Sequence, residues 1–157
     1  MYMNFIWGFC KKKLMKELEV LQKRTIKSIF GYPWLMPSNE LFSKTEILPV
    51  QKQAKMSASV FVYKLEKKMI HTQIQFTHVN DIHQYKTRGV KWIFTNHSNS
   101  VTFGTKGIMS SVIREFNTLS VDVKESVSLH SFKRKAREYF QLSEKKVICW
   151  MYYHSRN

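Results

Sequence analysis

The side chains able to do chemistry in this chain are few and scattered. His71, His78, His83, His97, His130 and His154 are spread over more than half its length. His78 and His83 have the spacing of the second half of a zinc finger. No cysteine pair precedes them, and there is no His-Glu-x-x-His. They read as ordinary loop or surface histidines. Two-metal phosphoryl transfer needs clustered carboxylates to hold the ions, and the aspartates are only Asp81 and Asp122, far apart. The glutamates stand among lysines on helical stretches, where Glu19 can pair with Lys23 one turn on. Cys10 and Cys149 form no Cys-x-x-Cys pair and have no evident base beside them. There is no Walker loop and no Gly-x-Gly-x-x-Gly, and five glycines leave little room for a phosphate cradle. The expectation is a chain with no catalytic centre, no metal site and no cofactor.

What the sequence offers is positive charge interleaved with aromatic rings. Lys and Arg number 26 against 11 Asp and Glu, a net +15, and 14% of residues are aromatic. That balance points to RNA or DNA, less often to an anionic membrane surface. Lys12, Lys16, Lys23, Arg24 and Lys27 are the first candidates for phosphate contacts. Tyr85, Lys86 and Arg88 follow in the loop IHQYKTRG, and Lys133, Arg134, Lys135 and Arg137 near the end. Such residues hold a backbone without reading sequence. The plain alternative is a solvated basic surface.

These residues need elements to position them. Lys11 to Gly31 reads as one amphipathic helix of about 20 residues, roughly 30 Å long, and the rest of the chain is expected to organise around it. Leu14, Leu18, Leu21, Thr25 and Ile29 recur at helical spacing and form the face expected to be buried. Lys12, Lys16, Lys23 and Lys27 fall opposite. Gly31 suits a left-handed C-cap, with Pro33 beyond it. Tyr32 to Ser38 reads as a turn, and Ser38 or Asn39 can cap a short helix over Glu40 to Lys44. Leu41, Phe42, Ile47 and Leu48 are its apolar anchors. Pro49 fits the first turn of a helix to about Met69, with Val50, Ala54, Ala58, Phe61 and Leu65 on one face.

From His71 to Gly107 the helical period is lost. Val90 to Thr95 and Ser100 to Phe103, joined by the turn-like NHSN, predict a β-hairpin. Gly107 to Asn117 fits a short helix. Ser128 caps a clearer one, with Leu129, Phe132, Ala136, Tyr139 and Phe140 inward. The apolar end, VICWMYYHSRN, reads as an edge strand or a stray tail. The fold expected is mainly α, a small helical domain over 1–142 with a short β-hairpin in the middle, then a divergent tail over 143–157. A hydrophobic content of 43% supports a folded chain of one domain.

The aromatic opening, Tyr2 to Phe9, reads as a buried segment leading into the first helix, and a start inside a core element reads as truncated. Its order, apolar before lysines, is the reverse of a signal peptide, and the run is too short to span a bilayer. With two unpaired cysteines the default is a reducing compartment, so a soluble protein of nucleus or cytoplasm is expected, with no membrane association.

Taken in order, the segments resemble the C-terminal (thumb and post-thumb) part of reverse transcriptases from non-LTR, LINE-type, jockey-like retrotransposons. Trp7-Gly8 closes an aromatic run as in that family, and LQKRTIKSIFG over Leu21 to Gly31 is similar to its LQxxAIRxI helix. Leu41, Phe42, Ile47, Leu48 and Pro49 match LFxxLxILPL, and Tyr63-Lys64 matches an aromatic-Lys pair. Ile82, His83, Tyr85, Thr87 and Arg88 reproduce IHxYxTR whole. Lys106, Gly107, Ile108, Ile113, Arg114, Phe116, Asn117 and Leu119 match a further motif in which Ser120 replaces the usual proline. Phe132-Lys133 is similar to the closing helix. The resemblance spans nearly all of residues 1–142. It implies a fragment or relic of an RNA-directed DNA polymerase that lacks the catalytic palm, so no catalytic residue carries over. Its partners would be template and primer, and the rest of a reverse transcriptase. The alternative is an independent protein–protein interaction module whose basic surface only keeps it in solution.

Overall fold

The computed structural model describes the backbone of residues 8, 12–71, 77–78, 94–95 and 108–154, and the side chains of residues 8, 12–71 and 108–142. These residues are mainly helical. In chain order come α1 (Lys12–Phe30), α2 (Ser38–Thr45), α3 (Val50–Glu66), β1 (Thr77–His78), β2 (Phe94–Thr95), α4 (Ile108–Asn117), α5 (Val121–Lys124) and α6 (Leu129–His154).

The organising element is α3, not α1. Ala54, Met56, Ser57, Ala58, Ser59, Val60, Val62 and Tyr63 are all buried, which leaves α3 enclosed on most sides. Small residues let neighbours approach, and α1, α4 and α6 all pack on it. The buried Ser59 hydroxyl donates to the Lys55 carbonyl one turn back, so no hydroxyl is stranded there. Pro49 stands just before the helix as its N-cap.

The main core joins α3 to α4 and α6 through Val62, Tyr63, Val112, Phe116, Phe132, Ala136 and Phe140. The Tyr63 and Phe132 rings stack at 4.2 Å between centroids. The Tyr63 hydroxyl donates to the Ser126 carbonyl at 2.6 Å. Burial, reinforced by the Glu66 carboxylate, raises the Tyr63 pKa above its ordinary value. Each such ring taken from water contributes about 1.5–3 kcal/mol. The expected inward face of α6 is the observed one. Phe132, Ala136 and Phe140 are buried, and Leu129 and Tyr139 pack against them half-buried. Ser128 caps the helix as expected, its Oγ accepting from the Ser131 N–H at 3.1 Å.

In α1 the expected face is not the buried one. Leu14, Leu21 and Ile29 are 49%, 56% and 72% exposed, and Leu18 and Thr25 are exposed with them. The buried seam holds Met15 and Ile26, with Glu19 and Gln22 half-buried between. It lies roughly a quarter turn round from the leucines. The reason is hydrogen bonding. The Gln22 amide donates to the Leu48 carbonyl at 3.0 Å, and its oxygen accepts from the Val50 N–H at 2.9 Å. That clamp satisfies an orphan donor at the start of α3 and fixes which face of α1 turns inward. Beside it, Ile26 packs with Leu41 and Phe42 of α2 in a second, smaller cluster.

Gly31 is the left-handed C-cap of α1 at φ 65°. The Tyr32 N–H reaches back to the Lys27 carbonyl, and Tyr32 packs on the Ile26 cluster, which together make a Schellman ending. The expected cap of α2 is corrected. Ser38 opens the helix, Pro37 is the N-cap, and no side chain caps it.

Phe94–Thr95 pairs antiparallel with Thr77–His78. The other arm of the expected hairpin, Ser100 to Phe103, lies outside the described residues. The expected strand or stray tail at the end is corrected. Helix α6 continues to His154, and no Gly or Pro after Leu142 interrupts it.

Candidate nucleic-acid interface

The basic residues of α1 divide by what holds them. Lys12, Lys16 and Arg24 are exposed, as is Lys13, which the stripe does not include. Lys23 is half-buried and pairs with Glu19 at 2.7 Å. Lys27 donates to the Trp34 carbonyl at 2.6 Å. On α6, Lys133 and Arg134 are exposed. Lys135 donates to the Asp122 carbonyl at 2.9 Å, and Arg137 to the Glu46 carbonyl at 3.0 Å. Glu46 is the C-cap of α2 in the left-handed region, φ 53°. Arg137 therefore satisfies a helix-end carbonyl, which also accepts from the Gln141 amide at 3.4 Å. Tyr85, Lys86 and Arg88 lie outside the described residues.

On these two helices the solvent-facing cations include Lys12, Lys13, Lys16 and Arg24 on α1, and Lys133 with Arg134 on α6. Helix α1 packs mainly on α2 and α3, and α6 mainly on α3 and α5. No hydrogen bond or ion pair to the described residues holds Lys12, Lys16, Lys133 or Arg134. Each is free to neutralise a phosphate at little structural cost.

A groove of about 360 Å³ between α2 and α6 has the opposite character. Phe42, Ile47, Leu48 and Leu142 line it with the carboxylates of Glu46 and Glu138. Two anions there repel phosphate. Among the described residues no cluster of His, Cys, Asp or Glu could hold a metal ion. No described helix is long and apolar enough to cross a membrane.

Residues the sequence did not single out also matter. Lys124 is 6% exposed, with its Nζ donating to the Asn117 carbonyl at the end of α4. Burial lowers its pKa, against the pull of Glu66. Trp34 is 66% exposed, with Arg24 and Lys27 both close to its ring. Its signal in sequence was there to read: a large aromatic in a Pro-flanked turn, where no periodicity buries it.

No family model, no curated protein and no solved structure matches the chain.

Proposed function

We propose that this chain is a basic nucleic-acid-binding module, a fragment or relic of the C-terminal part of a non-LTR reverse transcriptase without its palm. On this reading it holds template or primer backbone beside a polymerase core supplied by other sequence. It works in the nucleus or cytoplasm and catalyses nothing itself. The ordered motifs and the short β-hairpin in the middle, one arm of which would include Phe94–Thr95, belong to the same reading. The observation that carries it is the set of exposed cations on α1, Lys12, Lys13, Lys16 and Arg24, in a chain of net charge +15.

The test is the salt dependence of binding. Each neutralised phosphate adds about 0.9 to the log–log slope on duplex DNA and about 0.7 on single strands. Replacing Lys12, Lys13 and Lys16 together by Gln lowers that slope by roughly two to three. Helicity survives, because Gln is nearly as good a helix former as Lys. The control removes Lys64, Lys67 and Lys68 at the end of α3. Equal effects from both triples would reduce the binding to diffuse attraction. They would favour the alternative, a protein–protein interaction module, for which the exposed Leu14, Leu18, Leu21 and Ile29 of α1 speak.

A further inference from the structure

The turn after α1 is built so that a tryptophan stands in solvent on a fixed base. Gly31 takes the left-handed conformation that lets the chain leave the helix. Tyr32 on one side and Met36 on the other pack against the Ile26, Leu41 and Phe42 cluster. The Met36 N–H closes the turn onto the Pro33 carbonyl at 3.0 Å. The Trp34 carbonyl is pinned by the Lys27 amine at 2.6 Å. Between these anchors Trp34 and Leu35 point away from the core, 66% and 92% exposed.

Two cations gather at the exposed indole. The Arg24 guanidinium carbon lies 5.7 Å from the ring centroid, and the Lys27 Nζ lies 5.9 Å from it. Arg24 and Lys27 are one turn apart on α1 and so reach the same side of the helix end. The Lys27 ammonium has three donors and a guanidinium has five. The bond to the Trp34 carbonyl therefore leaves donors for another acceptor. A flat π-surface flanked by cations matches the two faces of a nucleotide, the base and its phosphate.

We infer that Trp34, with Arg24 and Lys27, is a stacking site for an unpaired base of single-stranded RNA or DNA. This rests on the nucleic-acid reading above and adds what kind of strand is held. A duplex hides its base faces in its own stack, so a Trp platform discriminates in favour of single strands. The held turn means little side-chain or loop freedom is lost on binding. Stacking is tolerant of base identity, so the site supplies affinity without sequence choice. A strand passing along α1 would meet Lys12 and Lys16 at one end of the helix and Trp34 at the other.

The experiment compares an unstructured oligothymidylate with a duplex of the same length, each end-labelled, by fluorescence anisotropy on the full chain. Trp34→Ala lowers single-strand affinity about tenfold and leaves duplex affinity within about twofold. The salt slope on single strands stays unchanged, because stacking releases no counterions. Trp34→Phe restores most of the loss, since any aromatic ring can stack. Arg24→Gln lowers both the single-strand affinity and its salt slope. A Trp34→Ala variant that binds single strands normally, or weakens both ligands equally, overturns the stacking site and leaves the backbone-binding reading standing. A selective loss that Phe does not restore also overturns it. Failure of the unmodified chain to bind either ligand in a salt-dependent way ends both readings at once. Circular dichroism of each variant checks that the helices persist.

Discussion

Helices α1 and α6 carry the same written pattern and use it differently. Each has an apolar stripe at helical spacing and lysines or arginines on the remaining positions. In α6 the stripe is the buried face, with Phe132 and Ala136 fully enclosed. In α1 the leucines stay in solvent, and the seam containing Met15, Gln22 and Ile26 turns inward. The surfaces they meet explain the difference. Helix α6 lies on apolar side chains of α3, where burying the largest apolar area decides the orientation. Helix α1 meets the connection into α3, where the Leu48 carbonyl and the Val50 N–H both need partners. An unmet buried backbone group costs about 1–3 kcal/mol, comparable to the gain from burying one leucine, about 1.5–3 kcal/mol. One well-placed amide can therefore outvote an aliphatic stripe.

The largest effect expected lies on the α6 side. Phe132 is fully buried between Tyr63 and Phe116, so Phe132→Ala should cost about 3–5 kcal/mol in chemical denaturation. A loss below about 1 kcal/mol would remove α6 from the core and break the contrast outright. Next comes the α1 clamp. Gln22→Ala strands one donor and one acceptor, and a loss of about 1–3 kcal/mol is expected. If the variant is as stable as the unmodified chain, the amide does not set the face of α1. The smallest effect is the most telling. Leu18→Ala or Leu21→Ala should change stability by no more than about 0.5 kcal/mol, the range of surface sites. The helical pattern alone predicts about 2–5 kcal/mol for a buried leucine. A cost of that size would show the stripe covered in solution and return the two helices to one rule.

The sequence was most informative where chemistry is local. Gly31, Ser128 and the inward face of α6 were legible because a cap or a period is decided within a few residues. The all-round burial of α3 was harder to see. Its Ser57 and Ser59 look polar on paper, yet both are buried, in a helix on which α4 and α6 pack from far along the chain. The face of α1 depended on a contact 26 residues away, which no local periodicity contains. The continuation of α6 through 143–154 was missed because an apolar, aromatic run fits strand and helix alike. Among candidate site residues, charge identified the cations but not their commitments. Lys135 and Arg137 serve helix-end carbonyls, and only the tertiary arrangement tells them from Lys133 and Arg134. The IHQYKTRG loop lies outside the described residues, so Tyr85, Lys86 and Arg88 rest on the sequence.

The buried amine of Lys124 turns the molecule into its own clock. Acylating reagents attack neutral, accessible amines, so the exposed lysines of α1 and α6 react promptly. Burial lowers the Lys124 pKa and also shields its amine from the reagent. Reaching it requires the Nζ to leave the Asn117 carbonyl at the end of α4. The rate at which that single amine is acylated therefore times a local opening of the core, read by mass on a chain that needs no added label.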